Sequence, residues 1–208
     1  MSADAPASSV STAACTLTVE LNMSGADGAS SAAQQEAAAT AAEGQAQWLL
    51  TFWAPTLKKK HPDVIVTVIG RSAVQITGIV TVAASSLDSV DATSADHEAA
   101  AAAFDAGWRK AVASALKKAD VDDLGVMDAD ALLASIPEDA NGRGLQDLRA
   151  MEKDLGVKVV FCTNQHVLLV GPKAKLGKKC FVLRNLLSHY HWRLSGRDVA
   201  FETMTATR

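Results

Sequence analysis

The fold is constrained most between residues 145 and 192, where the hydrophobic spacing changes from helical to strand-like and then back to helical. The first helical segment ends at Gly156, a residue type that commonly terminates helices. Two apolar runs follow, Val157–Cys162 and His166–Val170, with a Thr-Asn-Gln turn between them. After a Gly-Pro pair, apolar residues return at helical spacing from about Lys175 to Trp192. This order predicts a helix, two paired strands and a final helix.

An earlier region has a related order. Large apolar residues recur at roughly helical spacing from Trp48 and stop at a basic turn followed by Pro62. Residues 64–69 and 73–82 are rich in β-branched side chains on either side of a Gly-Arg-Ser break, which predicts a hairpin. A helix is predicted from about Asp96 to Lys118, because apolar residues repeat there every four positions. This region therefore predicts an α-β-β-α module.

The chain divides into three parts by composition. Residues 1–45 are mainly Ala, Ser, Thr, Gly and acids, and we expect a disordered tail because such a segment buries too little apolar surface. A frayed helix over Ala33–Glu43 is an alternative, because alanine has the highest helix propensity. Residues 46–119 form the first module. Residues 120–208 form the second, which opens with an acidic stretch containing a short strand near Leu124–Met127 and a short helix near Ala129–Ser135. The predicted class is α+β.

Charge is distributed unevenly along the chain. The net charge is −3, but residues 151–208 contain ten Lys or Arg and only four acids. A local basic surface of this kind favours binding to a polyanion. The three cysteines show no Cys-x2-Cys spacing, and Met1–Ala14 contains no Lys or Arg. We therefore expect reduced thiols and an intracellular protein without a cleaved leader, and no apolar run is long enough to cross a membrane.

A glycine loop precedes the helix of the second module, with the sequence Asn141-Gly142-Arg143-Gly144. Loops of the GxxG type in KH domains clamp the backbone of four nucleotides. Glycine lets the backbone approach sugar and phosphate closely, and Arg143 supplies a positive charge. Asn141 stands at the first glycine position, although Asn also tolerates a left-handed backbone. The alternative is that the glycines only form a turn before the helix.

From Trp48 onward the chain resembles the tandem-KH assembly factors of the small ribosomal subunit, the partner-of-Nob-one (Dim-two) and Krr-one group. The resemblance covers about 160 residues. It rests on these segments: Gln47-Trp48, Pro55-Thr56-Leu57, Val64-Ile65-Val66, Arg71-Ser72-Ala73-Val74-Gln75-Ile76, Gly156-Val157-Lys158-Val159 and Val167-Leu168-Leu169-Val170-Gly171-Pro172. The resemblance implies two tandem KH-like modules, residence in the nucleus or nucleolus and possible presence in the cytoplasm, and ribosomal or assembly-factor protein partners.

The expected function is RNA binding, on ribosomal RNA, by an assembly or scaffolding factor that is not an enzyme. The loop would clamp the RNA backbone while basic residues of the second module neutralise phosphates. The predicted contact residues are Asn141, Gly142, Arg143, Gly144, Lys158, Lys173, Lys175, Lys178, Lys179, Arg184, Arg193 and Arg197. We expect no metal, cofactor, small-molecule substrate or membrane partner.

Other interpretations compete with this one. Gly171 and the Gly177-Lys178-Lys179 segment resemble a phosphate-binding P-loop, but the spacing is one residue too long and Lys179 replaces the Mg²⁺-binding Ser or Thr. Cys162 and His166 lack the paired spacing of a zinc site. The main alternative is a protein-interaction subunit of a ribonucleoprotein that contacts RNA little, which the incomplete glycine loop and the acidic middle of the chain favour.

Overall fold

The computed structural model describes residues 11–21, 31–82, 93–127, 144–176, 181, 183–185 and 187. The chain divides into two compact units after Ala119. Each unit contains helices and a three-stranded antiparallel sheet, which confirms the predicted α+β class. Within the described residues, no helix combines the length and apolarity that crossing a membrane would need.

The first unit starts with a strand and ends with a long helix. Its elements in chain order are β1 (Ser11–Glu20), α1 (Ala32–Trp48), a π-helical turn (Leu49–Trp53), α2 (Ala54–Lys58), β2 (Ile65–Ile69), β3 (Ala73–Val82) and α3 (Ser94–Leu116). The sheet order is β1-β3-β2 with β3 in the centre, and the hairpin predicted from the β-branched runs is confirmed.

Within residues 1–45, where disorder is predicted, the described residues 11–21 and 31–45 are ordered, and β1 pairs with β3 along its whole length. The rest of that range lies outside the described residues. Ser11 lies opposite Val82 and Glu20 lies opposite Ala73. Along the second half of β1, every second side chain is buried and those between are exposed. An edge strand on a one-sided sheet needs an apolar side chain only at alternate positions, so Cys15, Leu17, Val19 and Leu21 suffice.

The first helix also begins earlier than its apolar spacing predicts, at Ala32 rather than near Trp48. Ser31 and Gln34 form a capping box: the Gln34 N–H donates to the Ser31 hydroxyl, and the Ser31 N–H donates to the Gln34 side-chain oxygen. The helix packs on β3, and its buried residues include the small Ala42 and Ala46. Alanine thus contributes close packing here as well as helix propensity.

Arg71 ties the turn between β2 and β3 to α1. Its Nε donates to Glu43 Oε2 at 2.9 Å, and its Nη2 lies 3.3 Å from Glu36 Oε1. The hydrogen bond to Glu43 raises the pKa of the Arg71 guanidinium above its ordinary value, so the group stays charged. Helix α3 also packs on this sheet, against β1 and β3. Gly78 of β3 makes room for the Phe104 ring, since a Cβ at this glycine would lie 3.0 Å from the ring.

The second unit contains β4 (Ala119–Val126), α4 (Gly144–Leu155), β5 (Lys158–Phe161), β6 (His166–Pro172) and α5 (Lys173–Leu176), with further helical residues at 181, 183–185 and 187. The sheet order is β4-β6-β5, and Lys158 opposite Val170 starts the β5–β6 hairpin register. The predicted α4 and this hairpin are confirmed. The short helix predicted near residues 129–135 lies outside the described residues.

The core of the second unit lies between its helices and one face of its sheet. Its buried members are Met127, Leu148, Val157, Val159, Val167, Leu169, Leu176, Leu183 and Leu187. Strand β6 is buried on both faces, because Leu168 and Val170 are buried as well. Among the described residues, the two units share one order: strand, helix, strand, strand, helix, with the last strand in the centre of the sheet.

Candidate nucleic-acid interface

The glycine loop ends where α4 begins. Gly144 is the first residue of that helix, whereas Asn141, Gly142 and Arg143 lie outside the described residues. The first backbone N–H groups of a helix have no partner within the helix and attract anions. The position of Gly144 therefore places the end of the loop next to backbone donors suited to phosphate.

A Schellman motif ends α4 and sets the direction of β5. Gly156 has a φ of 62°, its N–H donates to the Lys153 carbonyl at 3.2 Å, and the Val157 N–H donates to the Glu152 carbonyl at 3.0 Å. The side chain of Lys175 lies directly against Gly156, in space that a Cβ would occupy. Glycine at this position thus allows both the left-handed backbone and the approach of Lys175 from α5.

Glu152 is a buried carboxylate, 6% exposed, held by three donors. Arg149 Nη1 lies 2.8 Å and Lys158 Nζ 3.2 Å from its Oε2, and the Val159 N–H donates to its Oε1 at 2.7 Å. These bonds connect α4 to the first residues of β5. Lys158, predicted as an RNA contact, therefore has a structural partner within the unit.

Arg184, another predicted contact, also has partners within the unit. Its Nε donates to Asp122 Oδ2 at 2.5 Å, and its Nη2 donates to the Leu176 carbonyl at 3.0 Å. The guanidinium thus joins β4 to the last helical segment. The structure consequently divides the predicted set between residues that hold the fold and residues that remain exposed.

Lys173 and Lys175 are exposed at the start of α5, and Lys173 makes no ion pair with any described residue. Lys178, Lys179, Arg193 and Arg197 lie outside the described residues. Because Lys175 contacts Gly156, it lies at the opposite end of α4 from Gly144. The 12 residues of α4 rise 1.5 Å each, which separates the two ends by roughly 17 Å.

Arg149 and Lys153 are two further exposed cations on α4, outside the set predicted from the sequence. Arg149 is 49% exposed although it pairs with Glu152, so part of its guanidinium faces solvent. Their helical phase relative to Leu148 and Met151 could have indicated this exposure.

Cys162 and His166, considered above as zinc ligands, have other partners in the structure. Cys162 is buried, and its backbone N–H donates to the His166 carbonyl at 2.8 Å within the β5–β6 turn. His166 Nδ1 lies 2.8 Å from Asp123 Oδ2. Within the described ranges, no group of three or more His, Cys, Asp or Glu side chains is arranged to hold a metal ion.

A scan against models of protein families and a search of curated protein sequences found no match to this chain.

Proposed function

We propose that this chain is an RNA-binding protein of KH-like architecture that acts as an assembly or scaffolding factor on ribosomal RNA. The observation that carries the proposal is the order of elements after the glycine loop. The loop ends at the first residue of α4, an antiparallel hairpin follows, and α5 begins with two exposed lysines. A glycine loop in front of this order is the arrangement of the second half of a KH domain.

The shared element order of the two units supports tandem modules. In both, a strand precedes a helix, two antiparallel strands follow, and a helix comes last, with equivalent strands at equivalent positions in the sheet. The long helical run from Ala32 to Lys58 takes the place of a helix-loop-helix in the first unit. We therefore assign the clamp to the second unit, which alone has the glycine loop.

In the proposed mechanism, backbone donors near Gly144 hold one phosphate while Arg143 neutralises charge as the strand passes. The exposed Lys173 and Lys175 bind phosphates farther along, near the other end of α4. Lys158 and Arg184 act indirectly. The ion pair of Lys158 with Glu152 holds α4, and the ion pair of Arg184 with Asp122 holds the last helical segment. Contacts to phosphate set affinity and position, and bases set sequence preference.

The test measures RNA binding by the full chain across a salt series. The readout is the fluorescence anisotropy of a labelled single-stranded oligonucleotide. Arg143→Asp should weaken binding about tenfold at low salt and make the salt dependence shallower, because a phosphate contact is lost. Lys117→Asp is the control, since it makes the same charge change at an exposed residue of the first unit. Absence of binding at low salt, or equal affinities for the two variants, would exclude the clamp.

A second candidate function is protein docking within a ribonucleoprotein, and the outward face of the first sheet favours it. Ile65 and Ile79 are 60% and 62% exposed, and Ile69 is also exposed. The register places Ile65 opposite Thr77, so Ile79 is its diagonal neighbour on the same face. Exposed apolar groups clustered in this way are typical of interaction surfaces.

Docking through this face predicts that Ile65→Thr/Ile79→Thr releases protein partners that remain bound to the wild-type chain after nuclease treatment of an extract. Thr16→Ser/Thr67→Ser on the same face serves as the control. The measurement is quantitative affinity purification. An equal loss of partners in both double variants, or no loss in either, would show that Ile65 and Ile79 do not form the docking surface.

A further inference from the structure

We infer that the first unit carries a second RNA contact, formed by Lys58, Lys59, Lys60 and His61 together with Trp53 and Trp108. These six residues are called the α2-end surface. The inference rests on the proposed RNA-binding function and adds a site to it, because the glycine loop and its basic residues belong to the second unit.

The α2-end surface is strongly positive. Lys58 is the last residue of α2, and Lys59, Lys60 and His61 follow it, all exposed. The chain from residue 44 to residue 62 contains no acid. Among the described residues, none forms an ion pair with these three lysines. One cation in the last turn of α2 suffices to stabilise its C-terminus, so Lys59 and Lys60 exceed what the helix dipole requires.

Aromatic rings lie at the same place in a fixed arrangement. The His61 ring lies 5.5 Å from the Trp108 ring at an angle of 84°, and the Trp53 ring lies 6.3 Å from Trp108 at 72°. Trp108 in turn contacts the buried Phe104 ring at 6.0 Å, which anchors the group to α3. Trp53 and Trp108 remain half-buried rather than buried.

Trp53 ends a segment whose backbone departs from a regular α-helix. The π-helical turn Leu49–Trp53 interrupts the long helix just before α2 and contacts α3. A π turn adds a residue to the helical repeat and is often found at functional sites. Here it follows the buried Trp48, begins at the buried Leu49 and ends at the half-buried Trp53.

Exposed lysines that make no ion pair with a described residue, beside partly exposed aromatic rings, match single-stranded RNA. Phosphates need the cations, and bases stack on aromatic rings without strict sequence preference. An acidic peptide would use the lysines but not the rings. The α2-end surface therefore forms a single-stranded RNA site of its own in the first unit.

The test measures binding of the full chain to a labelled uridine 20-mer and follows tryptophan quenching in the same titrations. Lys58→Gln/Lys59→Gln/Lys60→Gln should reduce the slope of log affinity against log salt by about 2, because each single-strand phosphate contact contributes about 0.7. It should also reduce tryptophan quenching. The matched control is Lys110→Gln/Lys117→Gln/Lys118→Gln, three exposed lysines of the same unit, for which slope and quenching stay as in the wild type.

The outcomes separate the two proposals. If the wild type does not bind RNA, the proposed function fails, and this inference fails with it. A second outcome is that the wild type binds RNA, Arg143→Asp weakens that binding, and the two triple lysine variants have the same salt slope as each other. This result overturns only the α2-end surface. If poly-glutamate binding alone depends on Lys58, Lys59 and Lys60, the surface serves an acidic protein partner and the RNA inference is wrong.

Discussion

Leu17→Asp is expected to unfold the first unit, whereas Thr16→Asp leaves it folded. The two residues are neighbours on β1, but Leu17 is 4% exposed and Thr16 faces outward. Removing a buried leucine side chain loses about 1.5–3 kcal/mol, and burying an unpaired carboxylate costs several kcal/mol more. Together this is roughly 5 kcal/mol, the size of the whole stability of many small domains.

The measurement is tryptophan fluorescence and near-ultraviolet circular dichroism, because Trp48, Trp53 and Trp108 all belong to the first unit. Thr16→Asp should change the free energy of unfolding by less than about 1 kcal/mol, since its Oγ1 makes only an exposed contact with Thr77. Two variants indistinguishable from the wild type would mean that residues 11–20 do not belong to the sheet, as the composition of the tail suggests.

Strand β1 is not evident from composition, because residues 1–45 also contain polar stretches that lower the average hydrophobicity of this region. The signal was present at a period of two, in Cys15, Leu17, Val19 and Leu21, with threonine or glutamate among the residues between them. Backbone hydrogen bonds from β3 supply the remaining stabilisation, and a sequence does not reveal that a distant strand is available. Local alternation is therefore a better guide than average hydrophobicity for edge strands.

The second unit was easier to predict, because glycine and apolar spacing mark its element ends. Gly156 ends α4 as expected, and the two runs around residues 163–165 pair as predicted. The partners of its charged residues were not predictable. Arg184 meets Asp122 from 62 positions away, and only the folded chain shows that pairing. Basic residues in a sequence therefore identify a charged region but not which cations are exposed.

The contacts of Trp108 with Trp53 and His61 were likewise not predictable from the sequence. Trp108 follows Phe104 by four positions in a segment predicted to be helical, and the two rings are in contact. Its contacts with Trp53 and His61 depend on where the helical run before β2 crosses α3. The π-helical turn that sets this crossing has no simple residue signature.

Glu152→Ala is expected to lower the free energy of unfolding of the second unit by about 3 kcal/mol. The buried Val159 N–H loses its acceptor at 2.7 Å, and this unmet donor costs more than the ion pairs do. Arg149 and Lys158 are 49% and 31% exposed, so water compensates much of their lost interaction. Urea denaturation combined with hydrogen exchange at the Val159 amide measures the effect.

Two further variants distinguish the loss of the Val159 N–H acceptor from the loss of the ion pairs. Glu152→Gln keeps a side-chain oxygen for the Val159 N–H but removes the charge, so it should recover more than half of the stability lost in Glu152→Ala. Asp154→Ala removes an exposed carboxylate from the same helix and should cost less than about 0.5 kcal/mol. If Glu152→Gln were as unstable as Glu152→Ala while the Val159 amide stayed protected, the ion pairs would dominate. Lys158 would then contribute to the fold mainly through its charge, and its replacement by Gln would reproduce the loss.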